Sequence, residues 1–462
     1  MNFFEIARGG KMSMLQKKDF FLIKGKETNY IYHAPSFRIA ELPSETKILK
    51  FDDNLLYKTH KDIEIDKRTE KVLTSRVPIR LVFMSARTCN LCCGYCFADG
   101  GQYGDANRKP QYMTYATYMK AIEYFTSKGS AWISSISFFG GEPLLNWDQI
   151  KEFIPNCLNY FEQNDREMPE IDISTNATTI TAEMAEYFKR YNIKIALSVD
   201  GPKNLNDMAR KFKVRNASTY RASLYGIKLL EDYGVEYHIQ MVIHKGHIEN
   251  YKKGMGIEWI QQFEKTKCKS IVIAPVSTKN KKYEITGDKL LKNLDCFVRD
   301  IVNYYFDKLL VENTEIRCTE MILPVVSILK KEYRKDCNAG INVIVDTDGN
   351  VYPCQMFCGN NQYLIGNIWE SKMYTDKVRE VLSATRKKSR ACQVCIAKEL
   401  CAVWCKGIQN SVNGDLYTVY KSRCVFQRAM LEECIIRLNE VNKTSLYSVF
   451  CNNISRIFGK KD

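Results

Sequence analysis

The sequence predicts an α/β protein in which parallel strands alternate with helices. Between residues 78 and 275, six apolar runs rich in β-branched residues are separated by stretches in which apolar residues recur with helical spacing. Strands and helices in alternation form a parallel sheet, because each helix returns the chain over the sheet in a right-handed crossover. Six such units are fewer than the eight of a closed barrel. Two cysteine-rich segments, one inside this region and one after it, predict metal sites.

The first 77 residues contain no cysteine and predict a small separate module. Residues 19–24 and 29–33 are strand-like runs separated by Gly25, and residues 37–42 are a third candidate strand. Residues 44–57 have a helical or irregular pattern. A strand-rich module is therefore expected before the main domain.

The main region divides into six strands and five helices. The predicted strands are residues 79–84, 133–139, 171–174, 193–199, 237–243 and 270–274. The predicted helices are residues 115–126, 148–161, 182–191, 220–233 and 247–263. In barrels built from such units the chemistry lies at the C-terminal ends of the strands. Functional residues are therefore expected directly after each strand.

Closely spaced cysteines follow the first predicted strand, in the segment Cys-Asn-Leu-Cys-Cys-Gly-Tyr-Cys at 89–96. Thiolates in this arrangement indicate a soft metal. Cys89, Cys93 and Cys96 would supply three ligands, one fewer than a four-iron cluster takes, so one iron would stay open to bind another group. Two C-x2-C pairs that also use Cys92 would indicate zinc instead. Adjacent Cys92 and Cys93 tend to point apart in an extended loop, which favours the three-cysteine interpretation and leaves Cys92 as a packing residue.

This motif, with Tyr95 before its last cysteine and Phe97 after it, resembles the signature of radical S-adenosylmethionine (SAM) enzymes. The resemblance implies that Cys89, Cys93 and Cys96 hold a [4Fe–4S] cluster whose open iron chelates the amino and carboxylate groups of SAM. It also implies that the six strand-helix units form the partial (β/α)6 TIM barrel of that superfamily.

The resemblance further implies SAM-binding residues after the next three strands. The segment after the second strand matches the glycine-rich part that binds the amino group of SAM, and later segments match positions that hold its carboxylate and ribose. These cofactor-binding candidates are Gly140, Gly141, Glu142, Pro143, Ser174, Asn176, Ser198, Asp200 and Arg210. Capping of the following helix is the alternative role for Ser174 and Asn176.

A second group of cysteines lies beyond residue 330. Cys337 and Cys354 flank residues 346–350, which have the composition of a hairpin turn. Four cysteines then follow with the spacing C-x2-C-x5-C-x3-C, and one more closes the set. These five are Cys392, Cys395, Cys401, Cys405 and Cys424. Since C-x2-C pairs are also common zinc ligands, two zinc sites are the alternative.

The second group resembles the SPASM domain, the auxiliary-cluster extension of peptide-modifying radical SAM enzymes. By that resemblance an inner [4Fe–4S] cluster is held by Cys337, Cys354 and Cys405 and lacks a fourth cysteine. Either Cys358 completes this site or one iron stays open for a substrate thiol, and we prefer the open site. The outer cluster would be held by Cys392, Cys395, Cys401 and Cys424.

Composition limits the possible partners and compartment. The sequence has no run of about 18 apolar residues that could span a membrane, and its start lacks a secretory apolar core, so we expect a cytoplasmic protein. In that compartment the 18 cysteines indicate metal binding or catalysis rather than disulfides. The net charge of +15 suits an acidic peptide, or nucleic acid. No nucleic-acid-binding fold is recognisable, so neither nucleic acid nor a membrane is a predicted partner.

These observations predict four parts of the chain. They are an N-terminal module at 1–77, a radical SAM core at 78–330, a SPASM domain at 331–440 and a tail at 441–462. The module resembles the leader-peptide-recognition element of peptide-modifying radical SAM enzymes, in which a leader peptide adds as a strand to an exposed edge, and a cap on the barrel is the alternative. The resemblance implies three [4Fe–4S] clusters and SAM, with an electron donor such as flavodoxin or ferredoxin. Residues 93–104 also resemble the ranthipeptide maturases. Our functional hypothesis is a maturase that uses a 5'-deoxyadenosyl radical to form thioethers in a ribosomally made, leader-bearing precursor peptide that contains cysteine.

Three alternatives accompany this hypothesis. A maturase could form carbon-to-carbon crosslinks instead. A sulfatase-maturing enzyme, which oxidises Cys or Ser to formylglycine, is the nearest relative in pattern, but such enzymes typically begin at the cysteine motif and place an Asp base where this chain has Gln355. From a different class, the chain could be a structural zinc protein that binds nucleic acid.

Overall fold

The computed structural model describes residues 19–42, 78–104, 109, 111–127, 132–334 and 336–459. The predicted helical or irregular segment at 44–57 lies outside these residues. No helix in the described part of the chain is long and apolar enough to cross a membrane.

The strands form two sheets. They are β1 (Phe20–Lys24), β2 (Asn29–His33), β3 (Arg38–Leu42), β4 (Ile79–Ala86), β5 (Ile133–Gly140), β6 (Glu170–Thr175), β7 (Lys194–Ser198), β8 (Tyr237–Ile243), β9 (Ser270–Pro275), β10 (Asn342–Val345), β11 (Asn350–Tyr352), β12 (Gly366–Asn367) and β13 (Lys372–Met373). Strands β1, β2 and β3 form a small antiparallel sheet, and the other ten form a mixed sheet in the order β13-β12-β11-β10-β4-β5-β6-β7-β8-β9.

The helices surround the mixed sheet. They are α1 (Tyr115–Ser127), α2 (Trp147–Gln163), α3 (Ala182–Arg190), α4 (Lys203–Ala209), α5 (Thr219–Asp232), α6 (Lys245–Ile248), α7 (Met255–Glu264), α8 (Asp288–Leu309), α9 (Leu323–Lys330), α10 (Thr375–Ser383), α11 (Arg390–Gln393), α12 (Lys406–Asn413), α13 (Lys421–Asn442) and α14 (Tyr447–Phe458).

The predicted fold class is confirmed. Strands β4 to β9 are parallel neighbours in chain order, as expected for a partial (β/α)6 barrel. Their apolar side chains pack against the covering helices. The ring of Phe83 on β4, for example, has its centre 4.9 Å from that of Tyr118 on α1 and 5.6 Å from that of Phe153 on α2. This packing fixes the strand ends at which the candidate site is built.

One helix prediction is wrong: residues 247–263 form two helices, α6 and α7, rather than one. Gly254 has a φ of 90°, a left-handed conformation that interrupts a right-handed helix and that glycine adopts easily. Its N–H donates to a carboxylate oxygen of Asp300 on α8 at 3.0 Å, and the Tyr251 hydroxyl donates to the same oxygen. This contact with α8 stabilises the break.

The C-terminal region continues the barrel sheet. Strand β10 pairs in parallel with β4, the first barrel strand, and then turns back antiparallel into β11 through the predicted turn. Gly349 in this turn has a φ of 84°, as a tight hairpin requires. The long helix α13 packs on α8, where Arg299 bonds to Glu432 and Glu433. The predicted boundary at residue 440 therefore falls inside α13.

The small N-terminal sheet is anchored on the C-terminal region. The Tyr333 hydroxyl donates to the Pro35 carbonyl at 2.6 Å, and the rings of Tyr333 and Phe37 lie 4.9 Å apart. Lys443, the residue that follows α13, donates to Glu41 on β3 at 2.5 Å. Ion pairing and aromatic packing thus hold this sheet against the end of the chain.

Candidate metal and SAM site

The three-cysteine loop begins at the C-terminal end of β4. Backbone N–H groups face two of its sulfurs, with the Leu91 nitrogen 3.3 Å from Cys89 Sγ and the Gly100 nitrogen 3.5 Å from Cys96 Sγ. Such donors stabilise bound thiolates. The Cys92 side chain is exposed and its sulfur instead contacts the Lys211 carbonyl, as expected for a residue outside the ligand set.

The thiols of Cys89, Cys93 and Cys96 share one environment. Burial, together with the neighbouring Glu142 and the other two thiols, raises the pKa of Cys89 to about 12. Burial also raises the pKa of Cys93 to about 11, although Arg210 opposes the shift. Without a metal the thiols of Cys89 and Cys93 hold their protons, so metal binding has to release them. The structure brings the three predicted ligands together.

Two glycines, Gly140 at the end of β5 and Gly141 directly after it, allow this loop to lie against the end of that strand. A side chain on Gly140 would place its Cβ 2.5 Å from the Ala86 carbonyl oxygen, and one on Gly141 would overlap the Thr88 carbonyl. The Gly141 N–H donates to Ala86 O at 2.8 Å, and the Glu142 N–H donates to Thr88 O at 2.9 Å. The immediate reason for these glycines is therefore a close contact between two backbone segments.

Glu142 is fully buried and joins the ends of two strands. Its carboxylate accepts bonds from the Thr175 hydroxyl at 2.7 Å, the Asn176 N–H at 2.8 Å and the Leu144 N–H at 3.1 Å. Burial raises the pKa of Glu142, and these donors oppose the shift. Pro143, the next residue, starts a short 3-10 helix at Pro143–Asn146. Thr175 was not predicted, because a strand-end threonine carries no distinctive pattern.

Asn176 and Ser174 do not cap the following helix. Thr181 does so, by accepting the Met184 N–H at 3.2 Å. The Asn176 amide instead donates to Asn90 in the cysteine loop at 2.9 Å and lies 3.8 Å from Cys89 Sγ. Asn176 is thus positioned at the cysteine loop, and the capping alternative is wrong for both residues. The contact with SAM that the resemblance implies stays a prediction. Ser174 is half-buried near the end of β6.

A buried polar cluster lies next to Cys93. The Tyr95 hydroxyl donates to the Asp200 carboxylate, and Arg210 donates to the Tyr95 hydroxyl at 3.0 Å. The other Asp200 oxygen accepts the Val242 N–H at 3.1 Å. Ser198 ends β7 two residues before Asp200. The cluster joins the cysteine loop to the ends of β7 and β8, and Tyr95 is a member that the sequence showed only as an aromatic within the motif.

The structure also brings together the three cysteines of the predicted inner set, Cys337, Cys354 and Cys405. The thiols of Cys337 and Cys405 share a hydrogen bond, which lowers the pKa of Cys337. Cys354 lies close enough for the Cys337 sulfur to raise its pKa, which burial raises most. Lys406 is a buried lysine beside this trio, and its positive charge favours a lower pKa for both Cys337 and Cys354. This group is the predicted inner set.

The four cysteines of the predicted outer set line a cavity. It lies between α11, the following loop and α13, and its walls include Cys392, Cys395, Cys401 and Cys424, with Cys405 of the inner trio at one side. Burial, together with the neighbouring cysteines, raises the pKa of Cys392 to about 11 and that of Cys424 to about 12. Four sulfurs around one space are a donor set that suits a [4Fe–4S] cluster.

Cys358, the tentative inner ligand, lies beside a buried ion pair that the sequence did not reveal. Arg87, between β4 and the cysteine loop, donates through Nε to Asp346 in the β10–β11 turn at 2.6 Å. A second nitrogen of Arg87 lies 3.2 Å from Cys358 Sγ. The two partners are 259 positions apart, so no local pattern could have paired them.

Within the described residues, no three His, Cys, Asp or Glu side chains are arranged to share a single metal ion. In a four-iron cluster each cysteine binds a different iron, so the ligands need not meet at one point. The assignment of each cysteine to a cluster, and of each strand-end residue to SAM, stays a prediction.

Comparison with known proteins agrees with this architecture. Residues 84–253 match the radical SAM superfamily. The cysteine-type anaerobic sulfatase-maturating enzyme of Clostridium novyi (strain NT) is 25% identical over 391 residues, which are 79% of this chain and 98% of that protein. The radical SAM cyclopropyl synthase TigE of Paramaledivibacter caminithermalis is 21% identical over 403 residues, 83% of this chain and 80% of that protein.

Among solved structures, native anSMEcpe with bound AdoMet and the Cp18Cys peptide has the same fold. Its TM-score is 0.65 at 19% identity, and the match covers 81% of this chain and 99% of that one. A partial α/β barrel with a three-cysteine loop after its first strand is the class of fold and site that radical SAM proteins share. Residues 84–253 are a radical SAM domain, and the chain is homologous to anaerobic sulfatase maturases and to a cyclopropyl synthase.

Proposed function

We propose that this protein is a peptide maturase that forms a thioether between a cysteine sulfur and a carbon of another residue in a ribosomally made precursor. The observation that carries the proposal is the presence of three separate cysteine groups, one at the barrel rim and two in the C-terminal region. A SAM-cleaving site needs only the first group, so the other two serve the substrate radical or its electron.

The roles of the chain's own residues follow from their positions. Cys89, Cys93 and Cys96 would hold the SAM-binding cluster, and a reduced cluster bound there supplies the electron that cleaves SAM. Arg210 is buried beside Cys93 with its charge directed at the rim, where it can hold the carboxylate of SAM. Glu142 and Asn176 fix the neighbouring strand ends in place.

The precursor would supply both reacting groups. Abstraction of a hydrogen atom leaves a carbon radical on the peptide, and its bond with a cysteine sulfur releases one proton and one electron. The inner trio and the outer four cysteines would hold the clusters that accept this electron. An external carrier such as ferredoxin or flavodoxin would exchange electrons with the protein.

The N-terminal sheet is the proposed docking site for the leader segment of the precursor. Among the described residues, β1 and β3 pair only with β2, so each can accept a further strand on its other side. Deleting the whole module would remove Tyr32 and Phe37, which are buried in the main core, and would expose the surface that they cover. Point variants at the two edges, Leu22→Pro on β1 and Ile39→Pro on β3, are therefore the better test, because the N–H groups of both residues point away from β2.

A proline removes one backbone donor from its strand. We expect one of the two variants to weaken binding of the precursor peptide at least tenfold while SAM cleavage without peptide stays unchanged. The affected variant identifies the docking edge. Wild-type affinity in both variants would refute leader capture by this sheet.

The proposed reaction is tested with the reconstituted protein, SAM, a reductant and a cysteine-containing precursor peptide, which is to be sought among the open reading frames beside its gene. We expect mass spectrometry to show loss of two hydrogen atoms, with one thiol no longer open to alkylation. Loss of two hydrogens with every thiol still reactive would indicate a carbon-to-carbon crosslink instead. Iron analysis should give about 12 atoms per chain, and mostly zinc would exclude the proposal.

A sulfatase-maturing activity is the second candidate, because the homology to sulfatase maturases covers 79% of the chain. Its product differs, since the cysteine side chain is converted to an aldehyde and loses its sulfur. The same assay with a cysteine-containing sulfatase peptide would show that conversion. Gln355, which follows Cys354 and cannot act as a carboxylate base, weighs against this candidate.

A further inference from the structure

The cavity enclosed by the outer cysteines has buried hydrogen-bond donors in its walls. Trp404, Gln409 and Gln427 all line it and are 7%, 2% and 1% exposed. Among the described residues, the indole Nε1 of Trp404 and the amide nitrogens of both glutamines have no hydrogen-bond partner, and neither has the side-chain oxygen of Gln409. Buried donors without acceptors are costly, so three in one wall indicate that the cavity holds an acceptor.

The orientation of one donor is fixed. The Gln427 side-chain oxygen accepts the Ala402 N–H at 2.9 Å, which sets the amide plane and leaves its NH2 group for another partner. Arg423, one helical turn earlier on α13, also lines the cavity, and its Nε donates to the Val403 carbonyl at 2.9 Å. Arginine keeps its positive charge in proteins. The walls therefore present N–H donors and a cation to whatever the four cysteines hold.

An iron–sulfur cluster with four thiolates fits this environment. It is an anion whose sulfurs accept hydrogen bonds, and such bonds and nearby positive charge raise its reduction potential. The inner trio has a buried lysine, Lys406, beside it. The unpartnered tryptophan and glutamine donors, in contrast, lie in the wall of the cavity of the outer group.

We propose that Trp404, Gln409, Gln427 and Arg423 tune the outer cysteine site to be the most easily reduced of the three. An electron released from the substrate as the new bond forms would then come to rest at the outer site, away from the SAM site. The inference rests on the proposed function, which supplies the clusters. The four residues are tuning residues and take no part in the reaction at the peptide.

The test is a redox titration of the reconstituted protein followed by electron paramagnetic resonance. Gln409→Met keeps the size of the side chain, Trp404→Phe keeps an aromatic ring of smaller volume, and each removes the donor. We expect each to shift the midpoint potential of the outer site to a more negative value, and the double variant to shift it further. The signal of the SAM site, recognised by its response to added SAM, should keep its potential.

Trp147 provides a matched control. Its indole nitrogen is also buried without a partner, but its ring packs against Tyr187 and Phe188 on α3, outside the cysteine groups. Trp147→Phe should leave all three potentials unchanged. An unshifted outer potential in the Trp404→Phe/Gln409→Met protein with full iron content would overturn the inference, as would an equal shift of all three sites.

A measurement on the unsubstituted protein covers the case in which the variants lose iron. In the reduced outer site, electron-nuclear double resonance should detect protons that couple to the cluster and exchange in D2O, since the donors are N–H groups. Absence of exchangeable couplings would also overturn the inference. If reconstitution yields zinc and no paramagnetic signal, the proposed function itself fails, which is a distinguishable result.

Discussion

At the scale of single residues, one buried ion pair, between Arg87 and Asp346, connects two distant parts of the chain. Their side chains are 0% and 1% exposed, and the pair joins the cysteine loop at the barrel rim to the β10–β11 turn. A buried ion pair is costly to break, because the partner left behind is an uncompensated charge in a low-dielectric environment. The position of the three-cysteine loop relative to the C-terminal cysteines therefore depends on this pair.

We expect Arg87→Met to lower the free energy of unfolding by about 3–5 kcal/mol. Asp346 would remain buried without its cation. The double variant Arg87→Met/Asp346→Asn should recover much of the loss, because no charge is then left unpaired. Urea denaturation measures both values. Arg190→Met, which breaks an exposed pair with Glu186, is the control and should cost about 0.5 kcal/mol or less.

His247 is a second residue whose burial has a measurable consequence. Its ring donates from Nε2 to the Asp200 carbonyl at 2.6 Å and accepts the His244 N–H at 3.3 Å, so it is held neutral. Burial, and then the neighbouring His244, lowers the pKa of His247 from 6.5 to about 3. The unfolded chain therefore binds a proton that the folded chain does not, throughout the interval between these two values.

The free energy of unfolding should consequently rise with pH through this interval and reach its full value above it. Lowering the pH from about 7 to about 5 should cost about 2 kcal/mol through His247 alone. His247→Gln removes the titrating ring and should flatten the pH dependence of the unfolding free energy. His238→Gln, on the half-buried histidine of β8, is the control. An unaltered pH profile in the His247 variant would show that its burial is not maintained.

At the scale of elements, the ends of β4 and β5 are held together by backbone contact. The predicted strands were confirmed, because an apolar run of a few residues is enough to indicate a buried strand. The close approach of the two strand ends, however, depends on glycine at positions where any side chain would collide with the backbone of Ala86 or Thr88. The motif Gly140-Gly141 thus shapes the cysteine loop from the neighbouring unit.

Gly141→Ala should displace the cysteine loop, since its Cβ would meet backbone atoms of Thr88 and Gly100 that cannot rotate away. We expect loss of SAM cleavage and of about four iron atoms per chain, with the C-terminal clusters retained. Gly414→Ala, at a positive φ with no atom within 4 Å of the added Cβ, should cost only backbone strain. Equal iron content in the two variants would contradict this account.

At the scale of the whole molecule, the barrel and the C-terminal region are one packed body. Strand β10 extends the barrel sheet beside β4, and α13 covers α8. The N-terminal sheet in turn rests on Tyr333 and Lys443. The regions that the sequence suggested as separate domains therefore share a core, and each depends on the others for burial of its apolar surface.

A chain that ends at Lys330 should not yield a stable barrel. It would expose the edge of β4 and the apolar face of α8, which promotes aggregation. We expect such a truncated protein to be insoluble or to elute as large aggregates in size-exclusion chromatography, while the full chain elutes as a discrete species. A soluble, monomeric truncated protein that still cleaves SAM would show that the barrel folds independently.

The sequence by itself determined the order of the barrel strands and the three-cysteine loop. Both depend on spacing over a few residues, and periodic burial or ligand spacing is visible at that range. The grouping of the later cysteines joins distant positions such as Cys337 and Cys405 and rested on the resemblance to the SPASM domain. It placed one helix where there are two, because the contact of Gly254 with Asp300 spans 46 positions.

Only the tertiary structure decided how these parts meet. It paired Arg87 with Asp346 across 259 positions, continued the barrel sheet with β10, and placed Trp404, Gln409 and Gln427 around the outer cysteines. Such contacts depend on which surfaces pack together and in what register, and the free energy that selects them comes from the burial of the whole core rather than from any local pattern.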